Sequence, residues 1–107
     1  MAFQKTFKAL SDPARRDILF MLKGGKMSAG DIADKFDMTN ATVSYHLKQL
    51  KNAELIYETK EKNFIYYSLN TSVFEDLMLW FAQFKDIDKN DEDIKDDIQK
   101  GEDSNGW

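Results

Sequence analysis

Only Asp37 and Met38 separate two stretches whose apolar residues repeat with a helical period. On the N-terminal side Ile32, Ala33 and Phe36 share one face, and Ser28 with Asp31 three residues on has the spacing of a capping box. On the C-terminal side Thr39 is a suitable cap, and Val43, Leu47 and Leu50 share the inner face of the next helix. Two residues leave room for nothing but a tight turn. The chain must therefore place two short amphipathic helices next to each other.

The flanking segments extend this pattern. Phe3, Phe7 and Leu10 recur at helical spacing. Asp12 and Pro13 then stop that helix and start another, as an N-cap followed by the first helical position. Ala14, Ile18, Leu19, Met21 and Leu22 form its expected buried face, and Gly24-Gly25 end it. After the fourth helix, "LIYETK" and "NFIYYSL" flank the polar turn Glu61-Lys62-Asn63 and read as a two-stranded hairpin. Ile65, Tyr67 and Leu69 share one face of the second strand, and Phe64, Tyr66 and Ser68 the other, so cover on both sides is expected. A last helix follows in "NTSVFEDLMLWFAQFK", with Asn70, Thr71 and Ser72 all open as its cap. The expected fold is mainly α with a β-hairpin wing, a winged helix-turn-helix of order α-α-α-α-β-β-α.

Net charge looks wrong for a DNA-binding chain, with 19 acids against 15 Lys and Arg, a formal −4. The imbalance is local. From Asp86 onward there are nine acids and three lysines, a net −6 that leaves residues 1–85 at +2. Residues 1–85 are thus expected to be the DNA-binding and dimerisation domain, and 86–107 an acidic, disordered tail. A tail of this charge could compete with DNA for the basic body.

The fourth helix supplies the DNA-facing chemistry. With Val43, Leu47 and Leu50 turned inward, Ala41, Tyr45, Lys48 and Asn52 fall opposite, with Thr42, Ser44 and Gln49 on the shoulders. No acid occurs from Asn40 to Ala53. A methyl, hydroxyls, an amide and an ammonium suit the edges of the major groove. Asn40, Ala41, Thr42, Ser44, Tyr45, Lys48 and Gln49 are therefore the candidate reading residues. Lys60, Lys62 and Asn63 are the candidate wing contacts, since a wing lysine neutralises phosphate and releases counterions.

The segments "LSDPARRDIL", "VSYHLKQLKNAELI" and "YYSLN" together resemble the ArsR/SmtB family of bacterial winged-helix repressors, nearest its SdpR-like autorepressor branch. The resemblance runs from about Phe3 to Phe84. It implies a homodimer that binds an inverted-repeat operator and blocks transcription. The chain departs from the family in two places. Glu54 stands where the family usually has Gly, and the wing turn lacks the common Gly, for which Asn63 is the expected substitute.

Many members of that family sense metals, yet here the segment that would carry a Cys pair reads "SAGDIADKF" and the chain has no Cys. In the last helix only Glu75 and Asp76 stand where other members place metal ligands, a poor set for a borderline or soft metal. No metal or other cofactor is expected. The single histidine, His46, lies at the edge of a core face, where a packed, hydrogen-bonded role outweighs ligation. No nucleophile, base or phosphate loop accompanies it, so no enzyme is expected.

The last helix is too apolar for one small core. Val73, Leu77, Trp80 and Phe84 make one stripe, and Phe74, Met78 and Phe81 a second. The expected dimer seam joins Phe74, Leu77, Met78, Phe81 and Phe84 to Phe3, Phe7 and Leu10 of the first helix. The N-terminus lacks a signal peptide's apolar core, and no run approaches the length needed to span a bilayer, so a cytoplasmic protein without membrane insertion is expected. An anti-repressor protein is one candidate for lifting repression. Two rival classes share these residues: a winged-helix module that binds protein, and a sensor for a small apolar ligand lodged between the last helices.

Overall fold

The computed structural model describes residues 3–85. The expected acidic tail lies outside the described residues. The elements run α1 (Gln4–Leu10), α2 (Pro13–Leu22), β1 (Met27–Ser28), α3 (Ala29–Phe36), α4 (Asn40–Asn52), β2 (Ile56–Glu61), β3 (Phe64–Leu69) and α5 (Thr71–Lys85). All four helices before the hairpin appear where apolar period and caps put them. The Asp12 carboxylate accepts from the Ala14 N–H, Ser28 Oγ from Asp31, and Thr39 Oγ1 from Thr42. Each satisfies a donor that the first helical turn cannot satisfy itself.

The sheet departs from expectation. It has three antiparallel strands in the order β1-β3-β2, where the sequence suggested a hairpin alone. Met27 and Ser28 pair with Tyr67 and Tyr66. Two residues are too short a strand to show any alternation, so β1 left no sequence signal. Both faces of β3 are partly covered, but only over its second part. Phe64 and Ile65 lie beyond the reach of β1 and are exposed, while Tyr66 to Leu69 are half-buried.

Residues up to Val73 form one compact unit. Ile18, Ile32, Val43, Leu47, Leu50 and Leu55 are its fully buried large side chains. They come from α2, α3, α4 and the residues just after α4, so the core directly beneath α4 holds that helix in place. Truncating one of them, as in Leu47→Ala, would cost about 2–5 kcal/mol.

Arg15 is a buried member of α2 that apolar pattern cannot reveal. Its Nε donates to the Ala9 carbonyl at 2.8 Å, and a terminal nitrogen to that of Lys8 at 3.3 Å. Arg16 donates to the Leu10 carbonyl at 2.7 Å. Two consecutive arginines thus satisfy three carbonyls at the end of α1, a helix only 7 residues long. The buried side of α1 consists of the small residues Thr6 and Ala9, while Phe7 is exposed and Phe3 and Leu10 are half-buried.

The part of α5 from Phe74 onward belongs to the second unit. There Trp80 stacks edge-on against Phe81 and Phe84, with ring centroids 5.1 Å apart in both pairs. Leu77 and Ala82 are buried, whereas Met78, Leu79, Phe81 and Phe84 are exposed. Leu79 was in neither apolar stripe drawn from the sequence.

Candidate nucleic-acid interface

The turn between α3 and α4 is built by Asp37, which adopts the left-handed conformation with φ 53° and ψ 40°. The backbone N–H groups of Asp37 and Met38 both donate to the Ala33 carbonyl. An Asp accepts this geometry more readily than a branched residue, because its short polar chain suits left-handed backbone. Thr39 then restarts the helix immediately. Its hydroxyl also donates to Thr42 Oγ1 at 2.9 Å, which leaves the Thr42 proton free to point outward.

On α4 the inward residues are Val43, His46, Leu47 and Leu50. Asn40, Ala41, Thr42, Ser44, Tyr45 and Lys48 are exposed, and Gln49 is half-buried. Six of the seven candidate reading residues are thus open to solvent, and Gln49 is partly so. Tyr45 is 57% exposed, enough to reach outward, while its ring stays edge-on to His46 at 5.6 Å. His46 is packed as expected, but its Nδ1 makes no hydrogen bond within the described protein, which corrects the expectation that it is hydrogen-bonded.

The end of α4 accounts for Glu54. Its φ is 60°, the left-handed value that glycine usually supplies. The Glu54 N–H donates to the Lys51 carbonyl at 2.9 Å and the Leu55 N–H to that of Leu50 at 3.0 Å. These two bonds make a Schellman cap, with buried Leu55 and Leu50 as its apolar contact. Asn70, which directly precedes α5, completes the clamp: its side chain donates to the Glu54 carbonyl at 2.8 Å and its N–H to the Leu55 carbonyl at 3.0 Å. An ion pair between Lys51 and Glu58 further ties α4 to β2. The hydrogen bond and charge of Glu58 hold the Lys51 ammonium above its ordinary pKa.

In the wing, Glu61 pairs with Phe64, so the turn has only two residues, Lys62 and Asn63. The left-handed residue is Lys62, with φ 56°, and not Asn63 as the sequence suggested. Of the two turn types that favour two-residue hairpins, the one with a single positive φ takes it at the first central position, which Lys62 occupies. Lys60, Lys62 and Asn63 are all exposed. Glu61, between the two lysines, is ion-paired to Lys26.

The structure thus joins a capped helix pair, an acid-free outward face and a lysine-tipped hairpin in one unit. Comparison with known proteins agrees with that architecture. Residues 12–58 match the model for "Bacterial regulatory protein, arsR family". The transcriptional repressor SdpR of Bacillus subtilis is 51% identical over 88 residues, covering 82% of this chain and 96% of the relative. Among solved structures, an ArsR family transcriptional regulator superposes with a TM-score of 0.71 at 24% identity, covering 81% of this chain and 96% of that one, which shows the shared fold. A homodimeric winged helix-turn-helix DNA-binding domain from Mycobacterium bovis gives a TM-score of 0.64 at 26% identity, covering 80% of each chain. The chain belongs to the arsR family of bacterial regulatory proteins.

Proposed function

We propose that this chain is a homodimeric transcriptional repressor that reads an inverted-repeat operator with α4 and touches the flanking phosphates with its wing. The observation that carries this reading is the outward face of α4. It exposes hydroxyls, an amide, a methyl and an ammonium without one carboxylate, on a helix fixed at both ends by hydrogen bonds. The reading residues are Asn40, Ala41, Thr42, Ser44, Tyr45, Lys48 and Gln49, and the wing contacts are Lys60, Lys62 and Asn63. A two-fold dimer would set its two reading helices about one DNA turn apart, ~34 Å.

The exposed Phe7, Met78, Phe81 and Phe84 support the dimer, which also seats the half-buried Phe3, Leu10 and Phe74 at its seam. Leu77 belongs to that proposal less directly, since the chain already buries it. The repressor works without a metal switch. Supporting this, the sequence has no Cys, and among the described residues no group of three or more His, Asp or Glu could hold a metal ion. Repression is then relieved by protein concentration or by an anti-repressor protein, and the protein acts in the cytoplasm, where its operator is. Among the described residues no helix is long and apolar enough to cross a membrane.

Selection of bound fragments from random duplex DNA tests the central reading. Enrichment of one palindromic motif is the expected result. Recovery of unenriched DNA, or of none, would count against operator recognition and favour a protein-binding module.

A further inference from the structure

The wing carries one acid where a polyanion would meet it. Glu61 lies between Lys60 and Lys62, and its side chain is 46% exposed. A free carboxylate there would oppose both lysines at short range. The fold answers from outside the hairpin. Lys26, just before β1, binds the Glu61 carboxylate across 35 positions of sequence. Its ammonium also sits 5.0 Å from the centroid of the Tyr66 ring. Sheet register gives the face: Ser28 lies opposite Tyr66, whose ring the Lys26 ammonium approaches. Thr59 pairs with Tyr66 and Glu61 with Phe64, so Glu61 occupies that side too. Phe64 continues the row, its ring 6.3 Å from that of Tyr66.

We propose that Lys26 is a positioning residue for DNA binding, which holds the Glu61 carboxylate against one face of the wing so that Lys60 and Lys62 meet phosphate without a competing acid. This rests on the reading of the wing as a phosphate contact. Both ends of the pair are about half exposed, so it adds little to folding stability. Its consequence is the electrostatic field at the wing tip. β1 thereby gains a role beyond its two ladder residues, because it brings Lys26 alongside the hairpin.

A double-mutant cycle read on DNA affinity tests the assignment, using a duplex selected from random DNA and an unselected duplex at two salt concentrations. Lys26→Gln is expected to weaken binding to both about fivefold at low salt. Lys26→Arg restores it. In a Glu61→Gln background, Lys26→Gln changes affinity less than about twofold, and all variants melt within about 2 °C of the parent. Equal losses from Lys26→Gln in both backgrounds would overturn the inference, because Lys26 would then act as an independent charge. No loss at all would overturn it as well. Lys62→Ala separates the two levels of the argument. If it weakens binding while the cycle shows no coupling, the inference alone fails; if it leaves binding and salt dependence unchanged, the wing reading fails first.

Discussion

The side-chain amide of Asn70 donates to the backbone carbonyl of Glu54 at 2.8 Å, so the residue just before α5 grips the left-handed residue that ends α4. The outward-facing helix is therefore clamped at its C-terminus by a contact 16 positions away in sequence. Asn70→Ala leaves that carbonyl without its donor and is expected to cost about 1–2 kcal/mol. Glu54→Gly relieves the left-handed backbone and is expected to raise stability by about 0.5–1 kcal/mol. Urea midpoints at constant m-value measure both. A destabilised Glu54→Gly would show that Glu54 contributes more than its backbone conformation.

Arg15 is the second clamp. Arg15→Ala removes two hydrogen bonds from the last carbonyls of α1 and is expected to cost about 2–3 kcal/mol. Lys in its place should recover less than half of that, because a single ammonium cannot reproduce the guanidinium fork. Thermal unfolding of the three proteins side by side decides the point.

Asp12 should make stability sensitive to acid. Partial burial pushes its carboxyl upward, but the N–H groups of Ala14 and Arg15, helped by the charges of His46 and Arg15, outweigh that and hold it below the ordinary 3.8. A lowered folded-state pKa stabilises above the unfolded value and is lost as pH falls through the folded one. Asp12→Ala is thus expected to cost about 1 kcal/mol at neutral pH. That cost should shrink below about pH 4, where the parent loses the charged cap. A cost that stays constant down to pH 2 in denaturant titrations would contradict this account.

The two proposed DNA contacts should separate by sequence dependence. Tyr45→Ala is expected to weaken binding to a selected duplex by ~1–3 kcal/mol and to an unselected one far less. Lys62→Ala should weaken both alike and reduce the salt slope by about 1. Ala is the informative choice at Lys62, since it keeps the cost of positive φ that Gly would remove. Fluorescence anisotropy across a salt series distinguishes the patterns.

Met78 is 65% exposed, so a charge there disturbs little inside the chain. Met78→Glu is expected to shift a dimer to monomer in sedimentation equilibrium and to weaken operator binding through lost two-site engagement. A dimer unchanged by this substitution would move the seam away from that side of α5.

Local chemistry made much of this protein legible from its residues. Asp12-Pro13, Ser28 and Thr39 mark helix starts because orphan N–H groups at those points need an acceptor within three residues. Val43, Leu47 and Leu50 mark the core side of α4 because a helix repeats every 3.6 residues. The same arithmetic exposes Tyr45 and Lys48. Each of these depends on neighbours in sequence, and neighbours in sequence are what a single chain displays.

What the tertiary structure decided is of the opposite kind. β1 is too short to carry a period and exists only because β3 passes beside it. Lys62 rather than Asn63 takes the positive φ because strand register, not residue preference, fixes which turn position needs it. Arg15 looks like a surface charge until the end of α1 is laid against it, and Asn70 looks like an ordinary cap until Glu54 comes within reach. Lys26 and Glu61 carry no shared pattern at all. A caps-and-period reading fixes where each element starts and which way it faces; the partners of its polar groups are fixed only when distant segments pack.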